Sequence, residues 1–87
     1  MNILFSRPMA KLYGRLSKEQ REHVDAAIAL FRQNPFAPKL YNHALQGKMA
    51  GKRSLSAGYD LRIIFVERDG YAVVIMLDVG KHDDVYR

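Results

Sequence analysis

Leu61-Arg62-Ile63-Ile64-Phe65-Val66-Glu67-Arg68, then Asp69-Gly70, then Tyr71-Ala72-Val73-Val74-Ile75-Met76-Leu77-Asp78: the fold is decided in this stretch. Leu61, Ile63 and Phe65 alternate with Arg62, Ile64 and Val66, the period of two of an extended chain. After the Asp-Gly pair, Tyr71, Val73, Ile75 and Leu77 alternate with Ala72, Val74, Met76 and Asp78. Both faces of these runs are largely apolar, which places them at the centre of a sheet. Asp69-Gly70 between them signals a two-residue type I′ hairpin turn, which needs positive φ at both positions.

Upstream, residues 52–56 also alternate, with Arg53 and Leu55 on one face and Lys52, Ser54 and Ser56 on the other. They add a third strand and make an antiparallel meander. Residues 34–41 form a loop punctuated by Pro35 and Pro38. Before it the period changes to that of a helix. Ser17 with Gln20 three residues on matches a capping box, and Val24, Ala27, Ile28 and Phe31 fall on one stripe, with Leu30 beside it. Asn34-Pro35 ends this helix, since proline disfavours helix in the residue before it. Met9, Leu12, Tyr13 and Leu16 line a shorter helix, with Pro8 in its first turn where no N–H is needed. Asn2-Ile3-Leu4-Phe5 is a first strand. The expected fold is α+β, in the order β-α-α-β-β-β: two N-terminal helices packed on one face of a small antiparallel sheet. At 87 residues, 1–87 reads as one domain with a small core.

There is no cysteine, so disulfides and thiolate metal sites are excluded, and His23, His43 and His82 show no ligand spacing. His23 lies among charged residues and reads as solvated. Net charge is +5, and residues 36–66 hold five cations (Lys39, Lys48, Lys52, Arg53, Arg62) against Asp60 alone. Such a footprint suits a nucleic acid or an acidic protein partner. No basic leader with a long apolar core opens the sequence, and no run nears the ~20 apolar residues of a membrane helix. The expectation is a cytosolic domain with no membrane partner.

If Leu61, Ile63 and Phe65 pack on the helices, Arg62 points to the free face of the sheet. His82 follows the last central strand, Tyr86 lies four residues on, and His43 and Lys48 precede the strand that carries Lys52, Ser54 and Ser56. Imidazoles, a fixed cation and a phenol suit cleavage of an RNA phosphodiester by its own 2′-OH. That reaction needs a base, an acid and positive charge at the phosphate, and no metal. Tyr86 suits stacking on a splayed base. The plainer alternatives are a turn histidine at His82, an Arg62 paired with Asp60 or Asp78, an edge Tyr86, and a solvated face at Lys48, Lys52 and Arg53.

Asn42-His43-Ala44-Leu45-Gln46-Gly47, Gly51-Lys52-Arg53-Ser54, Asp60-Leu61-Arg62, and Gly80-Lys81-His82 with Val85-Tyr86 together resemble the RelE/ParE superfamily of toxins from type II toxin–antitoxin pairs. The resemblance is nearest to the YafQ-like mRNA interferase branch. It implies two helices on an antiparallel sheet, and metal-independent cleavage of translated mRNA on the ribosome by 2′-OH attack. It also implies an antitoxin protein wrapped over the basic face, and no cofactor. By position it makes Arg62 the phosphate-stabilising arginine, His82 the catalytic histidine, Tyr86 the C-terminal aromatic and His43 the histidine of the leucine–glycine motif. Asp60 matches an acidic position of that branch, and Lys48, Lys52, Arg53 and Lys81 supply the RNA-gripping cations. The branch carries an acid and a histidine on the strand where this chain has Ser54 and Ser56. His43 or Asp60 then takes the base role, or catalysis relies on charge and orientation. Two readings from other classes share these features: a ParE-like inhibitor of DNA gyrase that cuts no RNA, and a non-catalytic RNA-binding module.

Overall fold

The computed structural model describes residues 1–58 and 60–86. Strand β1 (Asn2–Phe5) runs directly into helix α1 (Arg7–Arg15). Ser6 makes the junction. Its hydroxyl accepts the Met9 N–H at 3.1 Å as the N-cap and donates to the Leu77 carbonyl at 2.9 Å. Helix α2 (Lys18–Gln33) opens with the expected capping box, Gln20 N–H to Ser17 Oγ at 3.1 Å and Ser17 N–H to Gln20 Oε1 at 2.9 Å. It ends at Asn34, before Pro35. Val24, Ala27 and Phe31 of its stripe are buried. Phe31 meets Phe65 edge-on at 5.2 Å between ring centroids, the contact that ties helix to sheet. His23 stands exposed on α2, as expected.

Five strands make the sheet, in the order β1-β5-β4-β3-β2. Strands β3 (Arg53–Ser56), β4 (Leu61–Arg68) and β5 (Val73–Lys81) form the expected antiparallel meander, with β4 in the middle. The sheet is mixed rather than wholly antiparallel, because β1 lies parallel to β5, with Asn2 opposite Val73 and Phe5 opposite Met76. A two-residue strand, β2 (His43–Ala44), adds the other edge against β3. Loop 34–41, read as irregular, holds one 3₁₀ turn at Pro38–Leu40.

Two departures in the central hairpin place the site. First, Arg68 pairs with Val73, so the connection has four residues where two were expected. Asp69 and Gly70 take the positive φ values of the turn (54° and 62°), but Tyr71 adds a third at 72°. Tertiary packing explains this: the Tyr71 ring lies 5.9 Å from Phe31, 5.3 Å from Phe36 and 6.3 Å from Phe65. Its N–H is held by Glu67 Oε1 at 2.8 Å. Second, Phe65 pairs with Met76 but Ile64 pairs with Asp78, so Leu77 is the extra residue of a β-bulge. The bulge reverses the alternation: Val74 and Met76 reach the core before it, Val79 after it.

The helix-side core is formed by Val24, Phe31, Leu55, Ile63, Phe65 and Met76 among others. On the opposite face, helix α3 (His82–Val85) lies across β4 and β5, and Ile64, Ser54 and Val85 are buried there. Arg62 lies on that face too, with Gly80 and Ser56 as its cross-strand partners. A Cβ on Gly80 would sit 3.4 Å from Val85 Cγ1, in ordinary van der Waals contact, so α3 packs directly over this glycine. Neighbours this small leave the guanidinium room. Among the described residues no helix is long and apolar enough to cross a membrane.

Candidate active site

Arg62 is half-buried, and one of its nitrogens, Nη1, donates to the Leu61 carbonyl at 2.9 Å. Among the described residues no carboxylate lies within ion-pair distance of it, so neither Asp60 nor Asp78 takes it up. Its remaining donors are available to an anion, and a guanidinium presents them as a planar fork suited to phosphate.

His43 is fixed from two sides. In β2 it stands opposite Ser54 of β3. Its Nδ1 lies 2.9 Å from the Tyr41 carbonyl. A carbonyl only accepts, so Nδ1 carries the hydrogen, and the neutral ring keeps its lone pair on Nε2. The Tyr41 ring packs against the imidazole at 4.7 Å between centroids, tilted by 42°. The residue between them, Asn42, ties this edge down. Its Nδ2 donates to the Pro35 carbonyl and to Tyr71 Oη, both at 3.0 Å, and its Oδ1 accepts from Arg53 Nε at 2.9 Å.

On the far wall, His82 opens α3, and its ring meets that of Tyr86 at 4.4 Å and 68°. Its Nδ1 faces Asp83 Oδ1 at 3.4 Å, too long to hold it firmly. The Tyr86 phenol is hydrogen-bonded to the hydroxyl of Ser54, which is completely buried. Tyr41, His43, Leu45, Arg62, His82 and Tyr86 thus line one open groove of ≈ 430 Å³.

Four of the residues singled out in the sequence, His43, Arg62, His82 and Tyr86, share that groove. Lys52, just before β3, accepts the N–H of the groove residue Leu45 on its carbonyl at 3.0 Å. Lys48 is exposed in a 3₁₀ turn (Gly47–Met49) just before it. The other three lie elsewhere. Asp60 and Lys81 line a separate depression of ≈ 160 Å³ with Glu19, Gln20 and His23, on the helix side. Lys81 is there because of the bulge, which sets it opposite Leu61 of the core face. Arg53 pairs across from Phe65, also on the helix face, and its guanidinium carbon sits 5.9 Å from the Phe36 ring centroid. Sequence reading passed over Tyr41, Leu45 and the Ser54–Tyr86 bond. A serine next to the core position Leu55 in a strand was the one visible signal of that bond. Among the described residues no three His, Asp or Glu side chains gather as metal ligands.

This architecture, with its groove between β2, β4 and α3, has the fold of RelE/ParE-superfamily toxins, the resemblance carried by the sequence motifs. Among solved structures the chain is similar to YafQ from E. coli strain BL21(DE3), at 18% identity over 99% of this chain and 98% of that one, with a TM-score of 0.78. A YoeB/ParE toxin from Agrobacterium tumefaciens superposes with a TM-score of 0.77, at 19% identity over 94% of this chain and 99% of that one. The E. coli DinJ–YafQ toxin–antitoxin complex contains a similar chain, at 16% identity, 99% and 97% coverage and a TM-score of 0.68. No protein-family model and no curated protein sequence matches.

Proposed function

We propose that this chain is the toxin of a type II toxin–antitoxin pair, a single RelE-like domain that acts as an mRNA interferase. The observation that carries the reading is the convergence of His43, Arg62, His82 and Tyr86 on one open groove. Each has a distinct task. His43 Nε2, its lone pair free, takes the proton of a ribose 2′-OH. The 2′-oxygen attacks the adjacent phosphorus, and the bond to the 5′-oxygen breaks. His82, in its protonated form, delivers a proton to that leaving oxygen. The products are a 2′,3′-cyclic phosphate and a 5′-hydroxyl, and the proton count balances without a metal. Arg62 meets the charge that builds on the phosphate oxygens, the kind of preorganised stabilisation that dominates many active sites. Tyr86 stacks on an unpaired base.

Three further elements complete the reading. Translated mRNA in the ribosome is the substrate, and the cytoplasm is the compartment. An acidic antitoxin covers the basic face. Support for the last comes from the charge excess and from the toxin–antitoxin complex in which a similar chain occurs. The position of Asp60 on the other side of the sheet supports the reading of His43 as the base.

The test is induction of the chain in bacteria, wild type beside His82→Ala and Arg62→Ala, with primer extension along an abundant translated message. Cuts that need translation and fall by about 10²–10⁴-fold in His82→Ala are expected. Growth arrest with DNA-damage signalling and no cuts would move the reading to a gyrase inhibitor. Salt-sensitive RNA binding without cuts or arrest would leave a binding module.

A further inference from the structure

We infer that Tyr41 is a nucleobase platform that holds the base on the 5′ side of the cut, opposite Tyr86. The inference rests on the interferase reading and adds a binding subsite and a direction for the RNA in the groove.

Tyr41 is the most exposed large apolar side chain in the described structure, at 67% of its full surface. Its backbone is left-handed, φ 47° and ψ 49°, a region that non-glycine residues other than Asn and Asp seldom occupy. The following β2 edge is held by three hydrogen bonds of Asn42, so the unfavourable conformation is imposed by the fold. Such a conformation costs stability and persists only where the surrounding structure over-determines it. Tyr41 also caps the 3₁₀ turn Pro38–Leu40, its N–H donating to the Pro38 carbonyl at 3.1 Å, so the backbone is set by the fold while the ring is left exposed. The ring lies on His43 and walls the groove together with Arg62, His82 and Tyr86. It is an aromatic surface beside unpaired positive charge, the combination that single-stranded RNA bases use.

The polarity follows from the two histidines. His43 faces the 2′-OH of the nucleotide 5′ to the scissile phosphate, so the ring packed on His43 meets that nucleotide's base. His82 protonates the leaving 5′-oxygen of the next nucleotide, so Tyr86, packed on His82, meets the base on the 3′ side. Arg62 on β4 holds the phosphate between them.

Three proteins separate the ring from the backbone: wild type, Tyr41→Phe and Tyr41→Asn. Asparagine accepts the left-handed conformation and keeps the carbonyl that orients His43. Folding is followed by urea titration, and cutting by primer extension in cells and by kcat and KM on ribosomes programmed with a short message. Tyr41→Phe should cut within about threefold of wild type. Tyr41→Asn should be at least as stable as wild type and lose roughly 5- to 150-fold in kcat/KM, the worth of one base stack. That loss should fall mainly on KM, with relaxed base preference 5′ to the cut and unchanged preference 3′ to it. Wild-type cutting by Tyr41→Asn would overturn the platform and leave the interferase standing. So would a loss confined to kcat, which would make the ring a support for His43 only. Absence of cutting by wild type would bring down the interferase reading and this inference with it.

Discussion

Removing a single oxygen from Tyr86 should cost more stability than removing its partner's. The Ser54 hydroxyl is wholly buried, and among the described residues its one side-chain partner is the Tyr86 phenol. In Tyr86→Phe the serine hydroxyl loses that partner at a position with no exposure to solvent. The penalty is that of an unsatisfied buried group, about 1–3 kcal/mol. In Ser54→Ala the phenol loses its partner instead, but Tyr86 is only half-buried and water can replace the serine. The cost is then the net worth of one hydrogen bond, about 0.5–1.5 kcal/mol. Ser54→Ala/Tyr86→Phe removes both polar groups and should be no less stable than Ser54→Ala alone. The singles therefore overshoot the double by about 1 kcal/mol or more, a coupling typical of residues in contact. Urea titration measures this as shifts of midpoint at constant m-value. The reasoning fails if Tyr86→Phe is no more destabilising than Ser54→Ala, or if the two effects simply add. The pair also bears on activity, because Tyr86 carries its ring against His82.

Two more predictions follow from named contacts. Asn42→Leu keeps the volume and breaks the bonds to Pro35, Tyr71 and Arg53; a loss of about 2–3 kcal/mol in urea titration is expected, with reduced cutting because His43 is no longer held. Outside the groove, the Tyr13 phenol donates to Asp25 Oδ1 at 2.7 Å, and this hydrogen bond, followed by desolvation and the carboxylate's charge, raises its pKa above the usual 10.0. The neutral form is the one favoured by folding, so the contribution is complete below pH 10 and is lost as pH rises through the raised value. A phenolate absorbance titration should show one late-titrating tyrosine that disappears in Asp25→Ala and in Tyr13→Phe.

Local signals were readable from the sequence; features that depend on partners were not. The capping box of α2, its Val24–Phe31 stripe and the stop at Pro35 need only neighbouring residues, and each stands where the pattern puts it. Strand β2 escaped because two residues carry no period. Helix α3, four residues long, escaped for the same reason. The bulge at Leu77 is silent because β5 is apolar on both faces, so a shift in alternation leaves no mark in hydropathy. Lys81 shows the consequence, since simple alternation would put it with Arg62 and the bulge puts it beside α2. Arg53 shared a face with Leu55 in the sequence pattern already, and the structure makes that face the helix side. His43, Arg62, His82 and Tyr86 were named from motif and chemistry, and their meeting in one groove is the tertiary fact that no spacing could supply.

The anchoring of the bulge by Ser6 has a bearing on how the chain is made. Ser6 Oγ and the Leu77 carbonyl are 71 residues apart in sequence, and among the described residues β1 pairs with β5 alone. On a translating ribosome β1 and the two helices emerge while that partner is still unsynthesised. Strand β1 must wait with its backbone unpaired, and the sheet closes only when β5 has left the exit tunnel. Contacts of such long separation slow folding. The same delay applies to His82 and Tyr86, which follow β5. A nascent chain therefore has neither the complete sheet nor the groove for most of its synthesis, and the site is assembled late, together with the pairing of β1.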